Sequence, residues 1–375
     1  MSRLALILET GKNDILFYSS HLWVRDSLLR TGIDDIKEIP KDDLLSSIKE
    51  NQHEEIFITF SDLALIDEEV IESGFALLSA SEKGVLVAKS PESGRFVLLG
   101  KASALSDLIE KYGLDTESYP KENVAFSEFS SKVKFLSSNN PRELFEMNKV
   151  AAEKIIEKHA ENGVIFLSSD GILISPEAEI KAGATILPGT IIKGKSVIGE
   201  GAKIGPNSWI SDSVIGKESE ILSSHVLKSK VGEKTTVGPF TQLRPDSVLG
   251  DKVHVGDFVE IKNSNIGDGT AVAHLTYVGD SDVGKNVNFG CGVVTVNYDG
   301  ENKNRTKIGD YAFIGCNTNL VAPVSVGDKA YTAAGSTITK DVPNGALAIA
   351  RSRQENKEDW ADKKLSKYVD KKNKR

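Results

Sequence analysis

ISPEAEIKAGATILPGTIIKGKSVIGEGAKIGPNSWI, residues Ile174–Ile210, decides the fold. Ile174, Ile180, Ile186, Ile192, Ile198, Ile204 and Ile210 recur every six positions without a slip. The rhythm continues with small slips through Ile221, Leu227, Val237, Leu243, Leu249, Val255 and Ile261 to Ile314, Leu320, Val326 and Ile338. Gly often follows the marked residue, as in Ile198-Gly199, Ile204-Gly205, Val255-Gly256 and Ile314-Gly315. A period of six fits neither an α-helix nor a lone alternating strand. It is the hexapeptide signature of a parallel β-helix, one short strand and one turn per repeat. No single repeat can bury its own aliphatic residue, so the coils must stack to make a core. The repeat runs from about Ile172 to Thr339, about nine three-sided coils at about 18 residues each.

Outward from that core, the bulk properties are ordinary. The chain has 375 residues, room for two domains, and 27% of them are charged. A formal net charge of −8 argues against a nucleic-acid-binding surface. Its two cysteines, Cys291 and Cys316, have neither metal-ligand spacing nor a disulfide framework, which suits a reducing cytoplasm. The opening run Leu4-Ala5-Leu6-Ile7-Leu8 is too short for the apolar core of a signal peptide, and Glu9 interrupts it. No stretch approaches the ~20 apolar residues of a membrane span.

Residues 1–140 read as an α/β domain. Leu4–Leu8, Ile56–Phe60, Gly84–Ala88 and Phe96–Leu99 have the pattern of short buried strands. His21–Thr31, Asp42–Glu50 and Asp67–Leu78 have that of helices. A linker helix is expected over 141–168. Asn140, Pro141 and Glu143 supply its N-cap, N1 and N3, and Leu144, Met147, Val150, Ala151, Ile155 and His159 fall on one face. The β-helix is expected over 169–345, and a lysine-rich solvated tail over 346–375. One interruption stands out. The rhythm is lost between Gly292 and Ile308, where the polar, turn-rich segment Thr295–Thr306 is expected to loop out, because staying in the coil would bury charge. Loops of this length in a compact fold are usually functional.

Specific motifs sit on this frame. They are Leu243-Arg244-Pro245, Val259-Glu260-Ile261-Lys262, Ala273-His274-Leu275-Thr276-Tyr277-Val278-Gly279-Asp280 and Asn286-Val287-Asn288-Phe289-Gly290. Asn297-Tyr298-Asp299-Gly300-Glu301-Asn302-Lys303, Ala333-Ala334-Gly335 and Ala350-Arg351-Ser352 follow. In order and spacing they resemble the acetyltransferase domain of a bacterial bifunctional family. That family acetylates glucosamine 1-phosphate and then transfers uridylyl from UTP to make UDP-N-acetylglucosamine. The resemblance implies a left-handed β-helix, a homotrimer with active sites between subunits, and acetyl-CoA as co-substrate with no metal needed for acetyl transfer.

The chemistry explains the residue types. A glucosamine amine is largely an ammonium ion at neutral pH, so a positioned base must free its lone pair, and histidine suits that task. The resemblance assigns it to His274. A phosphate on the acceptor calls for converging cations, and the resemblance points to Arg244, Lys262 and Lys303. Arg244 and Lys262 are one coil length apart in sequence. Tyr277 and Asn288 match sugar contacts, while Asn297 and Tyr298 line the site from the loop on the cofactor side. Acetyl-CoA is expected against Cys291, Cys316, Ala334 and Arg351. Arg351 is the phosphate partner, and the Cys291 amide is placed to hold the thioester oxygen as it becomes an oxyanion. The family often has Ala or Ser where this chain has Cys291 and Cys316. A primary amine attacks a thioester directly, so no acyl-cysteine intermediate is needed.

Fragments of residues 1–140 resemble the uridylyltransferase domain of the same family. Thr59-Phe60-Ser61-Asp62-Leu63-Ala64-Leu65-Ile66 lies where that family has a metal-binding aspartate, Gly94-Arg95-Phe96 resembles its glycine-arginine turn, and Asn139-Asn140 its last metal ligand. The glycine-rich phosphate loop is replaced by Glu9-Thr10-Gly11-Lys12-Asn13-Asp14, with one glycine, no arginine and an added acid. The domain is also shorter than its counterpart. It is therefore expected to be degenerate and inactive, with Asp62 and Asn139 left as structural residues and a separate protein supplying uridylyl transfer. Three other readings compete. One keeps weak uridylyltransferase activity, one changes the acceptor to another amino-sugar phosphate, and one makes the chain a non-catalytic trimeric scaffold or nucleotide-sugar sensor.

Overall fold

The computed structural model describes residues 2–11, 13–90, 95–128 and 135–373. It divides into two compact units, Met1–Pro245 and Asp246–Arg375. Among the described residues the first unit opens with a six-stranded sheet in the spatial order Asp35–Ile39, Arg3–Leu8, Glu55–Phe60, Phe96–Lys101, Val85–Lys89, Val124–Glu128. The first three strands run parallel, Phe96–Lys101 runs against both of its neighbours, and Val124–Glu128 pairs in parallel with Val85–Lys89. Leu4, Leu6 and Leu8 point into one core cluster, Ala5 and Ile7 into the other. Both faces are covered, which is why this strand reads as a continuous apolar run rather than an alternation.

Four of the strands and three of the helices follow the sequence pattern with shifted ends. The helices are Ser20–Arg30, Leu44–Lys49 and Glu68–Ala80, the last capped by the Asp67 carboxylate, which accepts from the Val70 N–H. The expected start at Asp42 is a 3-10 turn, Lys41–Asp43, following Pro40. Three elements lacked a clear signal: the charged edge strand Asp35–Ile39, the helix Ala102–Tyr112 and the strand Val124–Glu128. Gly94 lies outside the described residues, so the glycine-arginine turn is represented by Arg95 alone.

The helix Pro141–Glu161 starts on the Asn140 side chain, which accepts from the N–H groups of Arg142 at 3.0 Å and Glu143 at 3.3 Å. Met147, Ala151, Ile155 and His159 are its buried stripe. Glu143 does not reach back to the cap. Its carboxylate accepts from the Ser137 N–H at 2.8 Å and pairs with Arg95.

From Ile165 onward the first unit consists of β-helix coils, and so does most of the second. The short strands form three parallel sheets, the arrangement of a left-handed β-helix. In-register partners are Ile174 with Ile192, Ile180 with Ile198 and Ile186 with Ile204, one coil of 18 residues apart. The coil then tightens. Ile198 pairs with Ile215, and Ile210 with Val226. The inward residue at that rung is therefore Val226, and Leu227 is only half-buried. The five-residue step is made by turn residues in the left-handed region, Asp212 at φ +47° and Lys228 at φ +45°. A buried hydroxyl at the corner satisfies the next rung: Ser196 Oγ accepts from Ser213 N–H at 3.3 Å, and Ser213 Oγ from Ser229 N–H at 3.0 Å.

In the second unit one side stacks Glu260–Lys262, Tyr277–Gly279, Val294–Val296, Asn319–Val321 and Thr337–Ile338. Another stacks His254–Asp257, Ala271–His274, Asn288–Phe289, Phe313–Ile314, Tyr331–Thr332 and Leu347–Ala348. The excursion is shorter than expected. Val294–Val296 and Thr306–Ile308 stay in the coil, with Thr295 and Thr306 fully buried, so only residues 297–305 leave it. The reason is chemical: Thr295 Oγ1 accepts from the Gly279 N–H at 2.7 Å, so this polar side chain is at home inside. The tail contains a helix, Trp360–Asn373. Among the described residues no helix is long and apolar enough to cross a membrane.

Ile314 is 0% exposed and sits in register between Phe289 and Thr332. Ile314→Ala is expected to lower stability by about 3 kcal/mol, read from urea unfolding. A loss below about 0.5 kcal/mol would contradict a continuous packed core.

Candidate active site

His274 ends the strand Ala271–His274, and Leu275 after it adopts φ +47°. The left-handed turn lifts the imidazole out of the coil, leaving its side chain 60% exposed. Below it, in register, is Asp257, the last residue of His254–Asp257. Nδ1 of His274 lies 2.7 Å from Oδ1 of Asp257. This hydrogen bond, helped by a backbone N–H, holds the Asp257 carboxyl below its ordinary value.

The backbone ladder carries this edge upward through successive coils. Leu275 N–H donates to Asp257 O, Gly292 N–H to His274 O, Asn317 N–H to Cys291 O, and Gly335 N–H to Cys316 O. Asp257, His274, Cys291, Cys316 and Ala334 therefore form one column at about 4.8 Å per coil. Arg351 closes its upper end: a Cβ placed on Gly335 would lie 3.7 Å from the Arg351 Cδ. Four of the residues expected to meet the cofactor are thus aligned with the expected base. The Cys291 N–H has no acceptor among the described residues. Asn288 shares the sheet of His274, paired between Ala271 and Phe313.

Tyr277 begins the next side of the coil, with Glu260 and Val294 as register partners. At the far end of that side is a second cluster, centred on Asp280, which is 3% exposed. Its carboxylate accepts from the side-chain amides of Asn263 and Asn297 and lies 3.6 Å from Lys262 Nζ. Burial pushes the Asp280 carboxyl up. The two amides and the positive charges of Lys262 and Lys303 outweigh it and hold the group below its ordinary value. Lys262 lies beside this carboxylate, and the positive charge of Lys303 acts on it. Asn297 sits with them, its amide donating to the Asp280 carboxylate.

The loop that delivers Lys303 is a built structure. The Asp299 carboxylate accepts from the N–H groups of Glu301 at 2.9 Å and Asn302 at 2.6 Å, and from Asn304 Nδ2 at 3.0 Å. Tyr298 and Lys303 form an antiparallel bridge. Tyr298 is exposed, and its hydroxyl donates to Gly300 O at 2.6 Å, within the loop itself. At the base Arg305 grips Asp282 with Nε at 2.9 Å and Nη2 at 2.6 Å, and reaches the carbonyls of Asn263 and Ser281. Arg244 belongs to the first unit. It is half-buried after Gln242–Leu243, and its carbonyl accepts from the Ser229 hydroxyl at 2.9 Å.

Sequence reasoning missed Asp257, Asp280 and Arg305. A spacing signal existed for two of them. Asp257 precedes His274, and Asp280 follows Asn263, by 17 residues, one coil. Arg305 lies on the excursion, where no period operates.

With the site in view, its relatives can be placed. Over 229 residues the chain is 55% identical to "Bifunctional protein GlmU" of Clostridium acetobutylicum, spanning 61% of this chain and 50% of that protein. It is 54% identical over 229 residues to the protein of the same name from Caldanaerobacter subterraneus, with the same coverage. Over these residues the chain is a relative of the GlmU proteins. It spans about half the length of the curated relatives it matches. A family profile described as the GMPPB C-terminal domain matches residues 169–266. A solved UDP-N-acetylglucosamine acyltransferase of Francisella novicida is 20% identical, covers 50% of this chain and 67% of its own, and has a TM-score of 0.31.

Because folding depresses the Asp280 carboxyl, the charged form favours the folded state. That contribution is present above the unfolded-state value and is lost as pH falls through the folded one. Asp280→Asn is expected to cost about 2 kcal/mol at pH about 7, with a smaller deficit below pH about 4, measured by urea unfolding at both pH values. A deficit of equal size at both would contradict a charge-based role.

Proposed function

We propose that the chain transfers the acetyl group of acetyl-CoA to the amine of glucosamine 1-phosphate, giving N-acetylglucosamine 1-phosphate for UDP-N-acetylglucosamine synthesis. The observation that carries this reading is the column in which His274 stands directly beneath Cys291, Cys316 and Ala334. Nε2 of His274 takes a proton from the substrate ammonium, and the freed amine attacks the thioester carbon. The carbonyl oxygen becomes an oxyanion beside the unengaged Cys291 N–H. As the tetrahedral centre collapses, the C–S bond breaks, the surplus proton on the attacking nitrogen passes to the departing CoA thiolate, and the imidazolium releases its own proton to solvent, leaving a neutral amide and a free thiol. Lys262, beside Asp280, and Lys303, whose charge acts on the same carboxylate, supply positive charge for the acceptor phosphate. Tyr277 completes the acceptor side, with Arg351 on a cofactor phosphate. Homotrimeric assembly and a cytoplasmic setting belong to the same proposal.

The N-terminal domain is read as inactive in uridylyl transfer. Asp62 is 8% exposed, and its carboxylate accepts from the hydroxyls of Thr10 and Ser137. Asn139 donates to Thr10 O at 3.0 Å, and its Oδ1 fills the space that a Cβ on Gly11 would occupy. Both expected metal ligands of the ancestral chemistry are thus used in closing the site on itself, which favours a separate uridylyltransferase over residual activity here.

The test is thiol release by purified protein given acetyl-CoA and glucosamine 1-phosphate. Turnover is expected, with His274→Ala lowering kcat by about 10²- to 10⁴-fold. No turnover by a folded wild-type protein would overturn the reading.

A further inference from the structure

We propose that Asp257 is a positioning residue for His274, its carboxylate accepting the Nδ1–H so that Nε2 is left bare for the substrate ammonium. This rests on the proposed acetyl transfer. The carboxylate oxygen and Nδ1 are 2.7 Å apart, a hydrogen-bond distance. A neutral imidazole carries one N–H and one bare nitrogen. A carboxylate can only accept, so its contact with Nδ1 requires the proton there.

The backbone builds this pairing in. Asp257 and His274 are register partners on adjacent coils, and Leu275 N–H donates to Asp257 O at 3.1 Å. Gly256 lets the coils close at this point, since a Cβ on it would lie 2.0 Å from the Ala273 carbonyl oxygen. The backbone therefore holds the two residues in register one coil apart, where their side chains meet. The nearby acid Glu260 is set against Tyr277 in register, one side further on.

Asp257 touches no reacting atom in this scheme. It fixes the tautomer and orientation of the base, and it stabilises the imidazolium that forms as the amine loses its proton. Half-exposed, it can be changed without emptying a core position.

Full-length wild type, Asp257→Ala and His274→Ala, labelled with ¹⁵N-histidine, test this in two ways. The first is the tautomer of His274 in the ligand-free protein at alkaline pH, with its signals assigned by their loss in His274→Ala. Wild type is expected to show Nδ1 protonated and Nε2 bare, and Asp257→Ala to revert toward the Nε2–H form favoured by free imidazole. The second is steady-state kinetics with acetyl-CoA and glucosamine 1-phosphate. Asp257→Ala is expected to lower kcat by about 10- to 100-fold while both KM values stay within about twofold. An Nε2–H tautomer in wild type, or a kcat in Asp257→Ala within twofold of wild type, would overturn the inference. Wild type without turnover would overturn the acetyl-transfer reading instead, and the tautomer measurement would still decide whether Asp257 sets the imidazole.

Discussion

Everything in the β-helical coils depends on one constraint: each rung takes its backbone hydrogen-bond partners from the next, in parallel and in register. A residue's neighbours in space are therefore the residues one coil away, at 16 to 18 positions in the regular stretches. Inward, the constraint stacks Ile174 on Ile192 and Ile198 on Ile215. At the corners it stacks serine hydroxyls under the N–H groups of the next coil. On the outside the same ladder lines up Asp257, His274, Cys291, Cys316 and Ala334. Chemistry is thus written down an edge of the coil, with one residue contributed per turn of chain.

The only large break among the described coils, residues 297–305, carries Lys303 out of the ladder. Its shape is held by Asp299 at the tip and Arg305 at the base. Asp280 links it to the coil, accepting from the loop's Asn297 and the coil's Asn263. Such charge-assisted bonds are stronger than neutral ones. Lys262 lies beside that carboxylate, and the positive charge of Lys303 acts on it.

The fold was legible from the isoleucines because burial leaves little choice at an inward position. Legibility failed where the coil changed length. Leu227 fits a strict six-residue count, yet a five-residue turn brings Val226 inward, and period alone cannot see that shortening. The edge strand Asp35–Ile39 escaped notice because one side of it has no partner strand and three of its five residues, Asp35, Lys37 and Glu38, are charged. In the site, His274, Lys262 and Lys303 were found through motif, whereas Asp257 and Asp280 needed the coil length to be applied to polar residues as well as apolar ones. Arg305 could not be found that way, since the loop carries no repeat. In the N-terminal domain the sequence offered a single glycine over residues 9–14, and the structure shows the hydroxyls of Thr10 and Ser137 turned to Asp62.

The central claim is that a base column and a cation corner act together on one amino-sugar phosphate. The measurement that tests it most directly compares kcat/KM for glucosamine 1-phosphate and for glucosamine, with acetyl-CoA fixed and the N-acetylated product identified by mass spectrometry. The account predicts N-acetylation of the phosphorylated sugar with a preference of about 100-fold or more, since glucosamine offers no phosphate to accept charge-assisted bonds from the lysines. Equal efficiency on the two sugars, or acetylation at a hydroxyl, would contradict it.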